Sequence, residues 1–246
     1  MRMTISPRAV GIVFAVPIEA DAFARAAADV VETEAAGLTV HEGRVAGSQV
    51  AWCVAGVGRK AARRAARLVI DGHRPRLLVS AGFAGGLDPA VPRGAVVEPA
   101  IVRGESTTID PLQLASAGKG GCTIVTVDRI VRTPAEKAVL AAATGAALVD
   151  METLAVAEVA LEAGLSCRAI RVISDAAGDE LPSDITRLAR PQSGLRRAGT
   201  ALGMIGRRPG AVLDLWRLWE RAVVDGRGLA EALIRLCGSL ADPAGP

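Results

Sequence analysis

The sequence predicts an α/β protein: a three-layer α/β/α sandwich around a mixed, mostly parallel central sheet, followed by a C-terminal helical extension. Short apolar runs, such as VGIVFAV at residues 10–16, lack the alternation of a half-exposed strand and indicate strands buried on both faces. Segments of helical length alternate with these runs along the chain. With 246 residues, 50% of them hydrophobic, the chain can build one core of this kind.

Each element follows from a local signal. A helix is predicted to begin near Pro17, because proline is tolerated in the first helical turn. Ala46-Gly47-Ser48 indicates a hairpin turn, and Gly82, Gly85 and Gly86 indicate a sharp turn at the end of a strand. The predicted strands cover residues 10–16, 38–45, 49–54, 77–80, 95–102, 123–127, 147–149 and 167–173, and the predicted helices cover residues 18–31, 59–71, 134–144 and 152–163. Residues 106–121 are polar and are predicted to form a loop.

The C-terminal quarter differs from the rest in charge. Between Arg187 and Arg235 the chain carries ten arginines and four acidic residues, whereas the net charge of the whole chain is only +3. We expect one domain with a core at about 9–184 and a helical extension at about 185–246, broken at residues 225–228 by two glycines. Apolar residues between the arginines suggest peripheral contact with a membrane, and packing on the core or on a second subunit is the alternative; these residues are Leu213, Trp216, Trp219, Val223, Leu233 and Leu236.

Composition excludes several functional classes. Three Phe, three Trp and no Tyr leave few platforms for base stacking, so we expect no nucleic-acid partner. Two histidines and four dispersed cysteines without a CxxC pair predict no metal site. Unpaired cysteines and the lack of a recognisable signal peptide or membrane-spanning stretch predict a cytoplasmic protein.

The turn Gly56-Val57-Gly58 formally matches the start of a dinucleotide-binding fingerprint. That interpretation needs an acidic residue at the end of the following strand, where this chain has Ser80-Ala81-Gly82. We therefore expect no nicotinamide or flavin cofactor. The alternatives for this turn are a tight connection only, or backbone amides around Gly56 that line a ligand pocket.

Three acidic residues stand at predicted sheet edges, where open α/β sheets bind ligands. Glu19 follows the first strand, Glu152 begins a helix, and Asp175 ends a strand. Taken singly, each is explained by a favourable charge at a helix start or by a capping role. Together they supply what cleavage of a glycosidic bond needs, namely one acid that binds a sugar, one that protonates and one that activates water.

Five short motifs, in this order, resemble the nucleoside phosphorylase and nucleosidase superfamily, which includes methylthioadenosine/adenosylhomocysteine nucleosidases and purine nucleoside phosphorylases. The resemblance covers roughly residues 10–179, and its motifs are AVPIE at 15–19, AGVG at 55–58, AGFAGGL at 81–87, VDMET at 149–153 and RVISD at 171–175. It implies an enzyme that cleaves the N-glycosidic bond of a purine nucleoside and forms a homodimer.

The resemblance also implies a role for each site residue. Met151 would pack under the ribose, and Glu152 would bind its 2′- and 3′-hydroxyls. Asp175 would donate a proton to N7 of the purine, which requires burial to raise its pKa. The remaining substrate-binding positions are Gly56, Gly82, Phe83, Ile130 and Val131 around the base and sugar, Ser174 as the group that orients Asp175, and Arg171, which we expect to face another partner or to orient the loop.

Glu19 matches the water-activating glutamate of the family. An acid in this loop repels phosphate, so we expect hydrolysis rather than phosphorolysis; inorganic phosphate is the co-substrate in the alternative, and a non-catalytic nucleoside-binding protein is a second alternative. Phe83 stands where related nucleosidases have serine, and the segment between Val102 and Thr123 is short. The basic extension resembles that of hopanoid-associated members of the superfamily. Together with Phe83 and the short segment, this resemblance implies a bulky apolar 5′ group such as that of an adenosyl-lipid like adenosylhopane.

Overall fold

The computed structural model describes residues 10–106, 110–115, 121–182 and 210–241, with side chains from residue 222 onward in the last range. The strands in this part of the chain are β1 (Val10–Phe14), β2 (Ala28–Ala35), β3 (Leu38–Val45), β4 (Ser48–Val54), β5 (Leu77–Gly86), β6 (Val96–Val97), β7 (Ile101–Gly104), β8 (Leu112–Gln113), β9 (Thr123–Thr126), β10 (Leu148–Asp150) and β11 (Ser166–Asp175). The helices are α1 (Pro17–Arg25), α2 (Arg59–His73), α3 (Pro134–Thr144), α4 (Thr153–Glu162) and α5 (Gly210–Ser239).

All eleven strands join one mixed sheet. The main path runs β2-β3-β4-β1-β5-β10-β9-β7-β8, and β11 pairs with both β5 and β6. The central pairs β4–β1, β1–β5 and β5–β11 are parallel, whereas the β2–β3–β4 edge is antiparallel. This arrangement places the loops that follow several central strands on the same side of the molecule.

Helices cover both faces of the sheet and form the outer layers. Alternate residues of β1 point to opposite sides: Val13 joins the core under α2 and α4, while Ile12 and Phe14 join the core under α1 and α5. The first core is built mainly from Ala, Val and Leu, as the scarcity of aromatic residues requires. The second contains Phe14, Phe23 and Trp52, whose rings lie in successive contact.

Two predicted elements near the N-terminal half are wrong in extent. The helix predicted to reach residue 31 ends at Arg25, and β2 begins at Ala28 and pairs with β3. The glycine-rich motif after residue 80 is not a turn, because β5 continues through it to Gly86. The reason is long-range pairing: β11 runs alongside β5 from Leu77 to Gly85, and β10 pairs with its last two residues.

The predicted strand at 95–102 is divided into β6 and β7, and the loop predicted at 106–121 contains β8. The helix break predicted at residues 225–228 does not occur, since α5 runs through it to Ser239. A Cβ on Gly226 would lie 2.8 Å from the backbone oxygen of Ile18, so this glycine lets α5 approach α1 closely.

The described part of α5 packs against the core. Its buried residues beside β1 and β4 are Leu229, Leu233, Leu236 and Cys237. Leu233 and Leu236 belong to the predicted membrane-facing set and are therefore unavailable for a membrane. The side chains of Leu213, Trp216 and Trp219 lie outside the described residues. None of the helices described in the structure is long and apolar enough to cross a membrane.

Candidate active site

A cavity of about 210 Å³ opens at the sheet edge where the sequence analysis placed the acidic residues. Its walls come from the segments after β1, β4 and β9, from β10 and the residues after it, and from the C-terminal parts of β5 and β11. Eight of the predicted site residues line this cavity: Glu19, Phe83, Ile130, Val131, Met151, Glu152, Ser174 and Asp175. Residues far apart in sequence therefore meet at one site, as expected for loops at a sheet edge.

Glu19 lies in the first turn of α1 and is only 4% exposed. One carboxylate oxygen accepts hydrogen bonds from the backbone N–H groups of Ala15 and Val16, both at 2.9 Å, and the other accepts from Phe83 N–H at 2.8 Å. Burial raises the pKa of Glu19, while these amides and the charge of Arg171 oppose the rise. Glu19 therefore occupies a ring of backbone donors that an external anion would otherwise be able to use.

Gly82 makes room for that carboxylate. A Cβ at this position would lie 2.6 Å from Oε1 of Glu19, so no other residue fits without moving it. Behind Glu19, a second cavity of about 10 Å³ is lined by Glu19, Gly82, Glu152 and Arg171 among others. This volume is close to the minimum for one water molecule, and its walls combine the polar side chains of Glu19, Ser80, Glu152 and Arg171 with apolar residues.

Glu152 stands at the N-cap of α4 and is half-buried. Its Oε1 accepts a 2.7 Å hydrogen bond from Gly58 N–H, and its Oε2 lies 3.3 Å from Met151 N. Burial is the largest cause that raises the pKa of Glu152 to about 8, and the nearby carboxylates of Asp150 and Glu19 add to it. The glycine turn thus contributes a donor at Gly58, where φ is +96°, rather than at Gly56, whose N–H donates to Ala15 O.

Arg171 is buried behind the cavity, with its guanidinium held by protein groups. It donates to Oδ2 of Asp150 at 2.8 Å, to the backbone oxygen of Ser80 at 2.8 Å and to the hydroxyls of Ser80 and Thr153 at 2.7 Å and 2.6 Å. Asp150 in turn accepts from Thr126 Oγ1 at 2.7 Å. Arg171 acts on the two glutamates through its charge, since it lowers the pKa of both.

Asp175 lies at the end of β11 and is 5% exposed. Ser174 Oγ donates to its Oδ1 at 2.7 Å, and Nζ of Lys137 lies 2.6 Å from its Oδ2. This second contact is an ion pair without hydrogen-bond alignment, because Oδ2 accepts no hydrogen bond from the described residues. A Cβ on Gly85 would lie 3.2 Å from Oδ2, so this glycine keeps space beside the acid.

Three of the predicted site residues do not line the main cavity. Gly82 and Arg171 line only the small cavity behind it, and Gly56 lines neither. Two residues near the site, Lys137 and Arg129, were not predicted from the sequence, whereas Gly58 and Asp150 were predicted only as members of their motifs. Arg129 and Asp150 line the main cavity. Lys137 carried a usable signal, since it shares the buried face of α3 with Leu140 and Thr144, where an apolar residue is expected.

Comparison with known proteins identifies the family. The model of the Phosphorylase superfamily matches residues 9–103 and 119–205. The chain belongs to the Phosphorylase superfamily. A curated 5′-methylthioadenosine/S-adenosylhomocysteine nucleosidase of Colwellia psychrerythraea is 26% identical over 239 residues, which cover 83% of this chain and 98% of the relative.

Solved structures agree on the fold. The nucleosidase of Colwellia psychrerythraea in complex with adenine has a TM-score of 0.74 at 22% identity, covering 96% of this chain and 97% of that one. The futalosine hydrolase of Helicobacter pylori has a TM-score of 0.70 at 14% identity, covering 92% and 95%. The predicted family, the α/β fold and the expectation of an enzyme of the nucleosidase or nucleoside phosphorylase type are thereby confirmed.

Proposed function

We propose that this protein is a nucleosidase that hydrolyses the N-glycosidic bond of a 5′-substituted adenosine and releases adenine. The observation that carries the proposal is the position of Glu19. Glu19 lines both the main cavity and the small cavity, as Glu152 also does, and three backbone N–H groups fix its carboxyl between a space for a substrate and a space close to the size of one water. The curated relatives named as nucleosidases support the same reaction class.

The surroundings of Glu19 favour water over phosphate as the attacking group. Phosphate binding needs free backbone N–H groups or cations. The amides of Ala15, Val16 and Phe83 already donate to Glu19, and Arg171 is occupied by Asp150, Ser80 and Thr153. Arg129 is the one cation among the described residues lining the main cavity, and it pairs with Glu105 at 2.7 Å.

In the proposed reaction the three acids divide the work. Glu19 takes a proton from water as its oxygen attacks C1′ of the ribose. Asp175 gives a proton to N7 of the purine, and the electron pair of the breaking C–N bond goes to the base. Glu152 gives its proton to solvent when the nucleoside binds, and the resulting carboxylate accepts hydrogen bonds from the ribose diol that strengthen as the ring gains positive charge. The reaction needs no metal and no cofactor, and phosphate has no part in it.

The 5′ substituent is proposed to be apolar, with an adenosyl-lipid such as adenosylhopane as the most specific form of the proposal. Phe83, Val57 and Leu181 give the cavity apolar walls beside the acids. Two apolar residues of the C-terminal extension, Leu233 and Leu236, pack on the core and therefore do not support contact with a lipid substrate. Peripheral membrane contact stays a prediction, and co-sedimentation of the full chain with anionic vesicles tests it.

The test of the function is a product assay for free adenine. The substrates are adenosine, 5′-methylthioadenosine, S-adenosylhomocysteine and a 5′-alkyl adenosine with a long chain, each with and without inorganic phosphate. We expect adenine and free sugar at a rate that phosphate leaves unchanged, with the apolar 5′ groups preferred. Dependence on phosphate and a ribose 1-phosphate product would establish phosphorolysis instead, and binding without turnover would establish a nucleoside-binding protein.

The homodimer expected from the resemblance is part of the proposal and has its own measurement. Light scattering coupled to gel filtration should give about twice the 25.2 kDa mass of the chain. A single-chain mass at the concentrations used in the adenine assay would contradict it.

A further inference from the structure

Lys137 is an unusual residue for its position. It lies on α3, outside all five sequence motifs, and is 0% exposed. Lysine is almost never fully buried unless its charge is paired, because removing an ammonium group from water costs several kcal/mol. A fully buried lysine therefore needs a partner, and its partner here is the proposed acid, Asp175.

The ammonium group contacts three oxygen atoms at once. It donates to the backbone oxygens of Ala176 at 2.6 Å and Asp179 at 3.0 Å, and it lies 2.6 Å from Oδ2 of Asp175. The first two contacts fix the turn that follows the acid, which is also closed by a 2.8 Å bond from Ala176 N–H to Asp179 Oδ2. Two of the three N–H groups of Lys137 donate to these carbonyls, and Oδ2 has no hydrogen bond from the described residues.

We propose that Lys137 is the positioning residue of this acid, an inference that rests on the proposed function. During the reaction the O–H bond at Oδ2 breaks and an N–H bond forms at N7 of the purine, while the electron pair of the glycosidic bond moves to the base. Asp175 is left as a carboxylate, and the ammonium 2.6 Å away stabilises that negative charge. Lys137 keeps its own proton, and water reprotonates Asp175 after the base leaves.

The inference makes a prediction about leaving groups. A purine needs the proton from Asp175, but 4-nitrophenolate leaves without one. Lys137→Met should lower adenine release by about 10²–10³-fold, within the range for general acid catalysis. The same variant should cleave a 4-nitrophenyl riboside with the same 5′ group within about threefold of the parent. Lys137→Arg should recover part of the loss, because it restores the positive charge.

Arg168→Met is the matched control. Arg168 is a cation on the same strand as Asp175, near the opposite end, and it pairs with Glu98. Its loss also removes a cation from an ion pair away from the cavity, and it should affect both substrates alike. Thermal unfolding of each variant identifies any general loss of structure. A fall in both activities of Lys137→Met by the same factor would assign Lys137 a structural role and overturn the inference.

A double-mutant cycle gives a second test on the purine substrate alone. If Lys137 acts through Asp175, adding Lys137→Met to Asp175→Asn should cost little more than Asp175→Asn does by itself. Full additivity of the two losses would contradict the inference. A parent protein that releases adenine while Lys137→Met matches it would overturn the inference alone, whereas a parent that releases none contradicts the proposed function and the inference with it.

Discussion

The two sides of the cavity hold their carboxyl groups in different ways. On the glutamate side, defined by Glu19 and Glu152, each carboxyl receives hydrogen bonds from uncharged backbone amides, and the nearest cation, Arg171, is bound to other groups. On the aspartate side, defined by Ser174, Asp175 and Lys137, the carboxyl touches a buried ammonium group directly. Two different electrostatic environments therefore exist within one small site.

The difference matches the chemistry proposed for each side. Burial is the largest cause of the raised pKa values of Glu19 and Glu152. Neighbouring carboxylates add to the rise at Glu152, and the backbone amides oppose it at both residues. Such carboxyl groups suit proton uptake from water and a contact with ribose that strengthens as positive charge develops. A carboxyl beside a fixed cation is instead stabilised in the form that remains after it gives a proton away.

The largest expected effect is a difference between the two sides in how their variants cleave substrates with different leaving groups. Asp175→Asn should lower adenine release by about 10²–10⁴-fold and leave cleavage of a 4-nitrophenyl riboside nearly unchanged. Glu19→Gln should lower both reactions by at least about 10²-fold, because water attacks in each. Steady-state rates on the two substrates provide the measurement. If both variants lose the two activities in the same ratio, the glutamate side and the aspartate side do not have the separate roles proposed for them.

A smaller effect is expected from Gly82→Ala, which acts on the glutamate side without changing its charge. The new Cβ would lie 2.6 Å from Glu19 Oε1, so the carboxylate must move away from Phe83 N–H. We expect a loss of adenine release of at least about tenfold, in line with the sensitivity of catalysis to small displacements.

Gly72→Ala serves as its control. Gly72 lies in α2, and a Cβ there would meet no atom within 4 Å. Activity should be unchanged, and the free energy of unfolding should rise by about 0.5–1 kcal/mol, since alanine favours a helix. Full activity in Gly82→Ala would indicate that Glu19 tolerates displacement and is not the base.

The site was predictable from the sequence to the extent that its residues stand beside strand ends. Glu19, Glu152 and Asp175 each follow or end a strand, so a sheet-edge argument found them. Lys137 meets Asp175 only because the tertiary fold brings α3 beside the turn that follows β11, and no local pattern encodes that contact. The glycine motif after residue 80 was wrongly predicted as a turn for a similar reason, because its strand conformation depends on pairing with β11.

The pH dependence of stability tests the raised pKa of Glu152. The native pKa of about 8 exceeds the ordinary value of 4.5, so between these pH values the native state holds a proton that the unfolded state has lost. The free energy of unfolding should therefore fall as pH rises from about 4.5 to about 8, and Glu19 adds in the same direction.

Glu152→Gln removes this titration and provides the measurement. In urea unfolding the variant should match the parent near pH 5 and exceed it at pH 8 by an amount on the order of a few kcal/mol. Glu231→Gln, an exposed carboxyl on α5, should show no such divergence. Parallel curves for the parent and Glu152→Gln would mean that the site does not hold Glu152 in its protonated form.

The smallest effect concerns the support of the aspartate side by α5. Arg93 donates to the backbone oxygen of Ser174 at 2.7 Å and to Asp225 of α5 at 3.0 Å, and Asp225 is buried. Asp225→Asn keeps the shape of the side chain but removes its charge, so Arg93 loses its ion pair while keeping its bond to Ser174. We expect a loss of about 1–3 kcal/mol in stability and less than about tenfold in adenine release. A similar loss in 4-nitrophenyl riboside cleavage is expected, because Arg93 acts on the backbone and not on the proton. A loss confined to purine cleavage would instead show that α5 affects proton donation by Asp175. The aspartate side would then include the C-terminal helix.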